Sequence, residues 1–471
     1  MKVKESNFIK ENKPLFKALI GKLLEKYEYA SLFAEDSYGK TYSVSKLGTN
    51  IQESDLNTHR GFVIKVYDKG TFLEYSDNAI DEKRIDYIVK TIDERITHLY
   101  EKGEFNKYKA PEDETVSFDK SADMKIDPEE MGDASIVEYL TKINKGAAKL
   151  DERVINCTAM TAYKRMSHLF LSKNKDMTQN FMWTQATVGV YTKRDEEVKR
   201  YMKSASVLGG MEVLNILEEA LPEVVKCAVE LLDSEEITPG EYDCICTPET
   251  TGMIVHEAFG HGVEMDMFVK DRAEAKNTIG EMVASELVTM HDGNAIDQTA
   301  TFFFDDEGTL ASDTIIIDHG KLVTGMCDLQ SGLALNTKPT GNGRRESYER
   351  KAYTRMTNTY FENGTDKLED MIASIKYGFM LENPMSGMED PKNWGIQMMV
   401  NVAREIKDGK FTGKIFSPIV MTGYVPTLLK SISMVSDEAH YNGSGYCGKG
   451  YKEWVKVSDG GAYIKARIRL G

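Results

Sequence analysis

Thr250–Asp266 reads TTGMIVHEAFGHGVEMD, and the way this segment coils governs where the rest of the chain must place its chemistry. It holds two of the chain's eight histidines together with Glu257, Glu264 and Asp266. Met253, Ile254 and Val255 supply an apolar run for burial, and Thr250 or Thr251 is a suitable N-cap, so a helix is expected. His256-Glu257-x-x-x-His261 is one residue longer than the H-E-x-x-H pattern, in which residues four apart share a helix face and two imidazoles meet one metal. At about 100° per residue, a five-residue step carries His261 roughly 140° round a regular α-helix from His256. A shared metal therefore requires the helix to end or to be distorted between Val255 and Gly262. Gly260 and Gly262 would permit an ending. A π-bulge, which adds one residue to a turn, would restore the facing geometry.

Glu257 follows the first histidine directly, where the shorter motif has its general base, a carboxylate that takes a proton from activated water and passes it to the leaving amine. Glu264 lies three residues after His261 on the same side and can hold an imidazole N–H or serve as a reserve ligand. The competing reading of the same residues is two packed or solvated helix histidines.

Further segments bear on that choice. VHEAFGHGVEMD, EMVASELVT (Glu281–Thr289), DDEGT (Asp305–Thr309), PTGNGRRESY (Pro339–Tyr348), RMTNTY (Arg355–Tyr360), SISMVS (Ser431–Ser436) and Cys447-Gly448-Lys449 occur in this order. Together they resemble the TldD/PmbA family of metalloproteases, clearly from about Tyr242 to Lys449 and more faintly upstream. The resemblance implies a cytoplasmic metallopeptidase acting on small or unfolded peptides. It implies a metal held by His256, His261 and the distant Cys447, with Glu257 as general base. It also implies a homodimer, or a heterodimer of a catalytic TldD-type subunit with a PmbA-type subunit that lacks the motif; the intact motif places this chain with the catalytic type. A mixed two-nitrogen, one-sulfur set suits one divalent cation, zinc first and iron(II) second, and leaves a fourth position for water. Two stretches depart from the family pattern: NPMSGMEDPKNWGIQ (Asn383–Gln397) and the tail after Lys449, which bears Trp454. Both bear on substrate choice rather than chemistry.

Composition limits the alternatives. With 471 residues the chain can bury a sizeable core in two or three domains. Its 41% hydrophobic and 28% charged content is that of an ordinary globular protein. A net charge of −16 argues against nucleic acid or an anionic membrane as partner. The opening MKVKESNFIKENK has no apolar core, so no secretion signal is expected. Six cysteines without C-x-x-C spacing suit a reducing, cytoplasmic setting. Cys244 and Cys246 share one strand face and are expected to be buried rather than metal-bound.

The expected fold class is α+β: an N-terminal helix and antiparallel-sheet domain over 1–237, in two lobes joined by a polar loop near 102–130, then a mainly β catalytic domain over 238–471 that carries the motif helix. A first helix is expected from Asn12, with Pro14 in its first turn. Tyr29–Asp36, Thr41–Lys46 and Gly61–Asp68 alternate like strands. Isoleucines 85, 88, 92 and 96 mark a second helix and Ile136–Leu150 a third, and strands resume over Arg153–Arg194. Met211–Leu232 reads as a helix in spite of Pro222, and Thr238-Pro239-Gly240 as the boundary.

Beyond the ligand set, the candidates are less defined. Arg345, in the Gly341–Glu346 loop, can bind a substrate carboxylate or simply pair with one of the chain's many acids. Tyr446, Arg345 and His440 are all available to stabilise an oxyanion. An extended peptide pairing with a strand edge would explain low sequence preference. The rival functions are a metal-free partner or regulatory subunit on the same fold, and a metal hydrolase of non-peptide amides.

Overall fold

The computed structural model describes residues 1–53, 58–103, 107–450 and 453–471. Residues 54–57 lie outside it, as do 104–106 and 451–452, which fall within the stretches read as polar loop and as tail.

The first half is organised on one eight-stranded sheet. Its path runs Thr71–Asp77, His59–Asp68, Tyr29–Ser45, Val154–Leu171, Lys175–Arg194, Val116–Ser121. Gly48–Glu53 pairs with Tyr29–Ser45 and Glu197–Leu208 with Lys175–Arg194. The segments read as two strands before Lys46 are one continuous strand, because Tyr38 and Gly39 keep the antiparallel register with Lys164 and Arg165. Two helix pairs cover the sheet. Asn7–Leu24 and Glu82–Lys102 bury Phe16, Leu19, Ile88 and Ile92 against Leu32, Phe62 and Ile64. Asp133–Leu150 and Val213–Glu230 bury Ile136, Leu140, Leu217 and Val224 against Ala159, Met182 and Val188. The first helix starts five residues before Asn12. Ser6 caps it by accepting the Ile9 N–H at 3.1 Å, and Pro14 lies inside it. Part of the 102–130 stretch is also structured: Val116–Ser121 runs parallel to Lys175–Asn180, and Pro128–Met131 forms a helical turn. Polar composition hid that strand because only Val116 and Phe118 turn toward the apolar interior.

The second half is mainly β, as the sequence indicates, on an eleven-stranded sheet. Five of its strands close on themselves: Ser458–Leu470 pairs with Ile419–Tyr424, that strand with Gly395–Lys407, then Tyr377–Asp390, then Gly240–Cys246, which returns to Ser458–Leu470. The tail is therefore the middle of the sheet, and its alternating burial follows the two-residue strand period. Ile254, Val255 and Phe259 of the motif pack into the core that this ring shares with Met398, Val400 and Ile464.

Candidate metal centre

The motif begins at a strand end. Gly240–Cys246 is followed by an α-helix over Pro248–Ile254, with Thr247 at the N-cap and Pro248 in the first position, where its missing N–H costs nothing. Thr250 and Thr251 are not the cap: they lie a turn inside and are fully buried, and the Thr250 hydroxyl donates to the Leu381 carbonyl at 3.0 Å. The coil then widens. Val255–Gly260 is a π-helix, and His261–Val263 closes as a 3₁₀ turn. The π segment supplies the extra residue that a five-residue histidine spacing demands. The two imidazoles stand edge to face at 85° with centroids 5.1 Å apart. Gly260 permits the close approach of this coil to the next layer, since a Cβ there would sit 2.3 Å from the Met356 sulfur.

Cys447 arrives from the far end of the chain on a two-stranded hairpin, Tyr446–Lys449 with Glu453–Lys456. Its Sγ lies 3.4 Å from His261 Nε2, across 186 residues of sequence. One donor atom each from His256, His261 and Cys447 lies within 4.8 Å of the others, and among the described residues no other group of three or more His, Cys, Asp or Glu is placed to hold a metal. Burial opposes charge on all three, yet their mutual interaction prevails. The Cys447 thiolate raises the pKa of both histidines, that of His261 well above the usual imidazole value. In turn the two imidazoles hold the Cys447 thiol well below its ordinary range. The site thus presents a thiolate and two nitrogens inside the protein, donors that fit a divalent cation of zinc or iron(II) type.

A shell of charges fixes these donors. Glu264, 1% exposed, faces His261 Nδ1 at 3.2 Å, which leaves Nε2 turned toward the thiolate. Lys449 bridges Glu264 at 3.0 Å and Asp266, and also donates to the Thr354 carbonyl at 3.1 Å. Burial would raise the Glu264 pKa, but Lys449, His261 and Arg355 hold it below the usual carboxylate range. Arg355, also 1% exposed, donates to the Cys447 carbonyl at 2.7 Å and to the Glu453 carbonyl at 2.7 Å. It thereby ties the hairpin to the motif.

Glu257 is covered from above by the hairpin Tyr377–Asp390 and Gly395–Lys407. A Cβ at Gly387 would come within 2.5 Å of Glu257 Cγ, so only glycine lets this strand pass so close to the carboxylate arm. Two residues on, Glu389 accepts the Gly262 N–H at 3.1 Å, and burial pushes its pKa up to about 8. At the hairpin turn Trp394 packs on Phe259 with centroids 6.4 Å apart. The departure at Asn383–Gln397 is thus the roof of the site. Glu389, Gly387 and Arg355 were missed as site residues because none belongs to the histidine motif; the departure itself was the available signal for the first two.

The remaining candidates lie elsewhere. Arg345 pairs with Glu74 at 2.6 Å and is nearly buried, so its partner is a structural acid. Tyr446 faces away from Cys447 and packs on Trp183 with centroids 5.9 Å apart. His440 is exposed on Met434–Asn442. Cys244 and Cys246 are buried in the apolar core.

Residues 239–459 match the model of the PmbA/TldA metallopeptidase C-terminal domain. A metalloprotease of Methanocaldococcus jannaschii is 24% identical over 459 residues, 95% of this chain and 97% of that one. Over residues 239–459 the chain is similar to the TldD/PmbA family. A metalloprotease TldD homolog of Buchnera aphidicola from Acyrthosiphon pisum is 37% identical over 232 residues, 48% of this chain. The match spans about half the length of that relative, 47%. Among solved structures, TldE from Thermococcus kodakarensis superposes with a TM-score of 0.73 at 17% identity, over 97% of this chain and 99% of that one. The TldD/PmbA fold therefore extends over both halves described above, while the sequence likeness to the Buchnera relative is restricted to about half the chain.

Proposed function

We propose that the chain is a metal-dependent peptidase of the HExxxH type that hydrolyses small or unfolded peptides, the TldD-type catalytic member of its family. The observation that carries this reading is the convergence of His256, His261 and Cys447 beside Glu257. Loss of the ligand set would be expected in a metal-free regulatory subunit. A divalent cation held by those three side chains, zinc first and iron(II) second, supplies Lewis acidity that acidifies water and polarises a carbonyl. Glu257 takes the proton from the attacking water. As oxygen bonds to the carbonyl carbon and the C–N bond breaks, Glu257 returns that proton to the leaving nitrogen. Glu264 keeps His261 in its ligating tautomer, and Gly387 keeps the roof from displacing Glu257. From Glu382 onward, no described strand pairs with the outer edge of Tyr377–Asp390, which leaves backbone groups beside Glu257 for an extended peptide.

The family likeness and the TldE structure support pairing with a PmbA-type subunit, or with a second copy. Among the described residues, no helix is long and apolar enough to cross a membrane. The deciding experiment measures bound metal and cleavage of a peptide panel by mass spectrometry for wild type and Glu257→Ala. The expected result is about one metal per chain in both and cleavage in wild type alone. Metal-free wild-type protein after anaerobic reconstitution would return the chain to the partner-subunit reading. Cleavage of acylated small molecules but not peptides would make it an amidohydrolase.

A further inference from the structure

The hairpin that delivers Cys447 has a second face. Tyr446 and Lys456 are register partners, and strand alternation turns them away from the metal centre. They line a cavity of about 70 Å³ between the two halves of the chain. One water needs about 10–15 Å³ by the same measure, so this space takes several waters or one small oxyanion. Lys456 is 6% exposed, with Nζ 4.6 Å from the ring centroids of both Trp183 and Tyr446 and a hydrogen bond to Gln185 Oε1. Among the described residues no carboxylate lies within ion-pair distance of it, and burial alone pushes its pKa well below the usual amine range.

Arg344 lines the same cavity. It stacks over Phe302 at 5.5 Å and donates to the Met356 carbonyl at 2.7 Å; Asp306 is the acid that faces it, beyond ion-pair distance. The acids of the lining act on the other cations. Asp306 accepts the Arg345 backbone N–H at 2.7 Å and faces Arg344 and Lys164, Glu35 accepts the Tyr348 N–H and faces Lys164, and Glu346 pairs with Arg350 at 3.7 Å. Ring faces compensate a buried ammonium only in part, so Lys456 lacks an anionic partner among the described residues.

We propose that this cavity binds a small carboxylate, its oxygens between Lys456 Nζ and the Arg344 guanidinium and its apolar end against Trp183 and Phe302. Lys164 and Arg345 also line the cavity, but they face Glu35, Asp306 and Glu74; the aromatic walls and the one or two cations left favour a singly charged carboxylate over phosphate. The carboxylate comes from a free organic acid or from the C-terminus of a peptide. Only the second source rests on the peptidase reading; the site itself does not.

Trp183 and Trp454 line the cavity and are two of the chain's three tryptophans, so intrinsic fluorescence reports on it directly. The purified full chain is titrated with sodium acetate against sodium chloride at constant ionic strength. Saturation by acetate and not chloride is expected, at least tenfold weaker in both Lys456→Met and Arg344→Gln. Absence of saturation, an equal response to chloride, or unchanged affinity in either folded variant overturns the proposal. Arg344 is only half-buried, so its variant decides the matter if Lys456→Met does not fold, as judged by circular dichroism. A second titration uses Glu257→Ala, which cannot turn substrate over, with a dipeptide as free acid and as C-terminal amide. Displacement of acetate by the acid alone assigns the peptide source, and no displacement by either assigns the free acid. Because binding is read without cleavage, an inactive enzyme that still binds acetate would refute the peptidase reading and keep the site.

Discussion

The two faces of the Tyr446–Lys456 hairpin solve the same electrostatic problem in opposite ways. On the Cys447 face the charges nearest the triad have counter-charges: imidazole against thiolate, Glu264 against Lys449, Arg355 and His261. On the Tyr446 face Lys456 has ring faces and an amide, with no described acid. Burying an ion costs several kcal/mol unless it is paired, so the first face is built to hold charge permanently and the second to hold it only when an anion is supplied. On the two proposals, one pair of strands would carry a preformed cation site and a conditional anion site back to back.

The largest effect that tests this contrast is chemical. Glu257→Ala should lower peptide cleavage about 10²–10⁴-fold with metal content unchanged, while Cys447→Ala should lose the metal. Elemental analysis beside a peptide assay separates the two. Equal metal content in wild type and Cys447→Ala would remove the thiolate from the ligand set and make the Cys447 face as conditional as the other.

Arg345→Ala comes next. Arg345 is nearly buried and pairs with the half-buried Glu74, with Lys65 between Glu74 and Glu307. Removing the guanidinium leaves Glu74 with Lys65 alone, at a cost of roughly 1.5–3 kcal/mol for the lost charged hydrogen bonds, visible as a lower Tm or denaturant midpoint. Acetate affinity in the cavity should be kept, because Arg345 is already paired. A loss of affinity with unchanged stability would show that Arg345, rather than Arg344, faces the ligand.

Glu264→Gln is subtler. The amide preserves shape and can still meet His261 Nδ1, but it loses the charge that balances Lys449 and Arg355. Metal affinity should fall about 10–100-fold, measured by competition with a chelator, with the fold intact. No change would mean that the charges around the triad are not what stabilises it.

How much of this was legible in the sequence follows from how local each signal is. The histidine motif, its required distortion and the mainly β second half were readable, because a five-residue spacing and strand alternation act within one segment. Cys447 was reachable only through the family likeness, since no local rule brings residues 186 apart together. The cap at Thr247 was missed because Pro248 in the first helical position was overlooked in favour of two threonines that in fact serve the core. The strand at Val116–Ser121 was missed because its apolar face is only Val116 and Phe118, too short an alternation to stand out in a polar stretch. The Lys456 cavity was illegible for a further reason. Trp183, Gln185, Arg344 and Lys456 come from three separate segments, and a lysine with no acid nearby is visible only once the chain has folded.

The smallest effect concerns that lysine and decides whether the contrast holds. Burial places the folded-state pKa of Lys456 well below the unfolded value of about 10.4. Between those two values the unfolded chain binds one more proton than the folded chain, so stability rises with pH, by at most about 1.4 kcal/mol per unit, until the unfolded lysine itself deprotonates. Lys456→Met removes this dependence. The Tm advantage of the variant over wild type should therefore be greatest near neutral pH and shrink as pH approaches 10. Saturating acetate should flatten the wild-type profile, because a bound anion allows the amine to stay charged in the folded state. A Tm difference independent of pH, with or without acetate, would mean that Lys456 is already charged and compensated in the free protein. The two faces of the hairpin would then be alike.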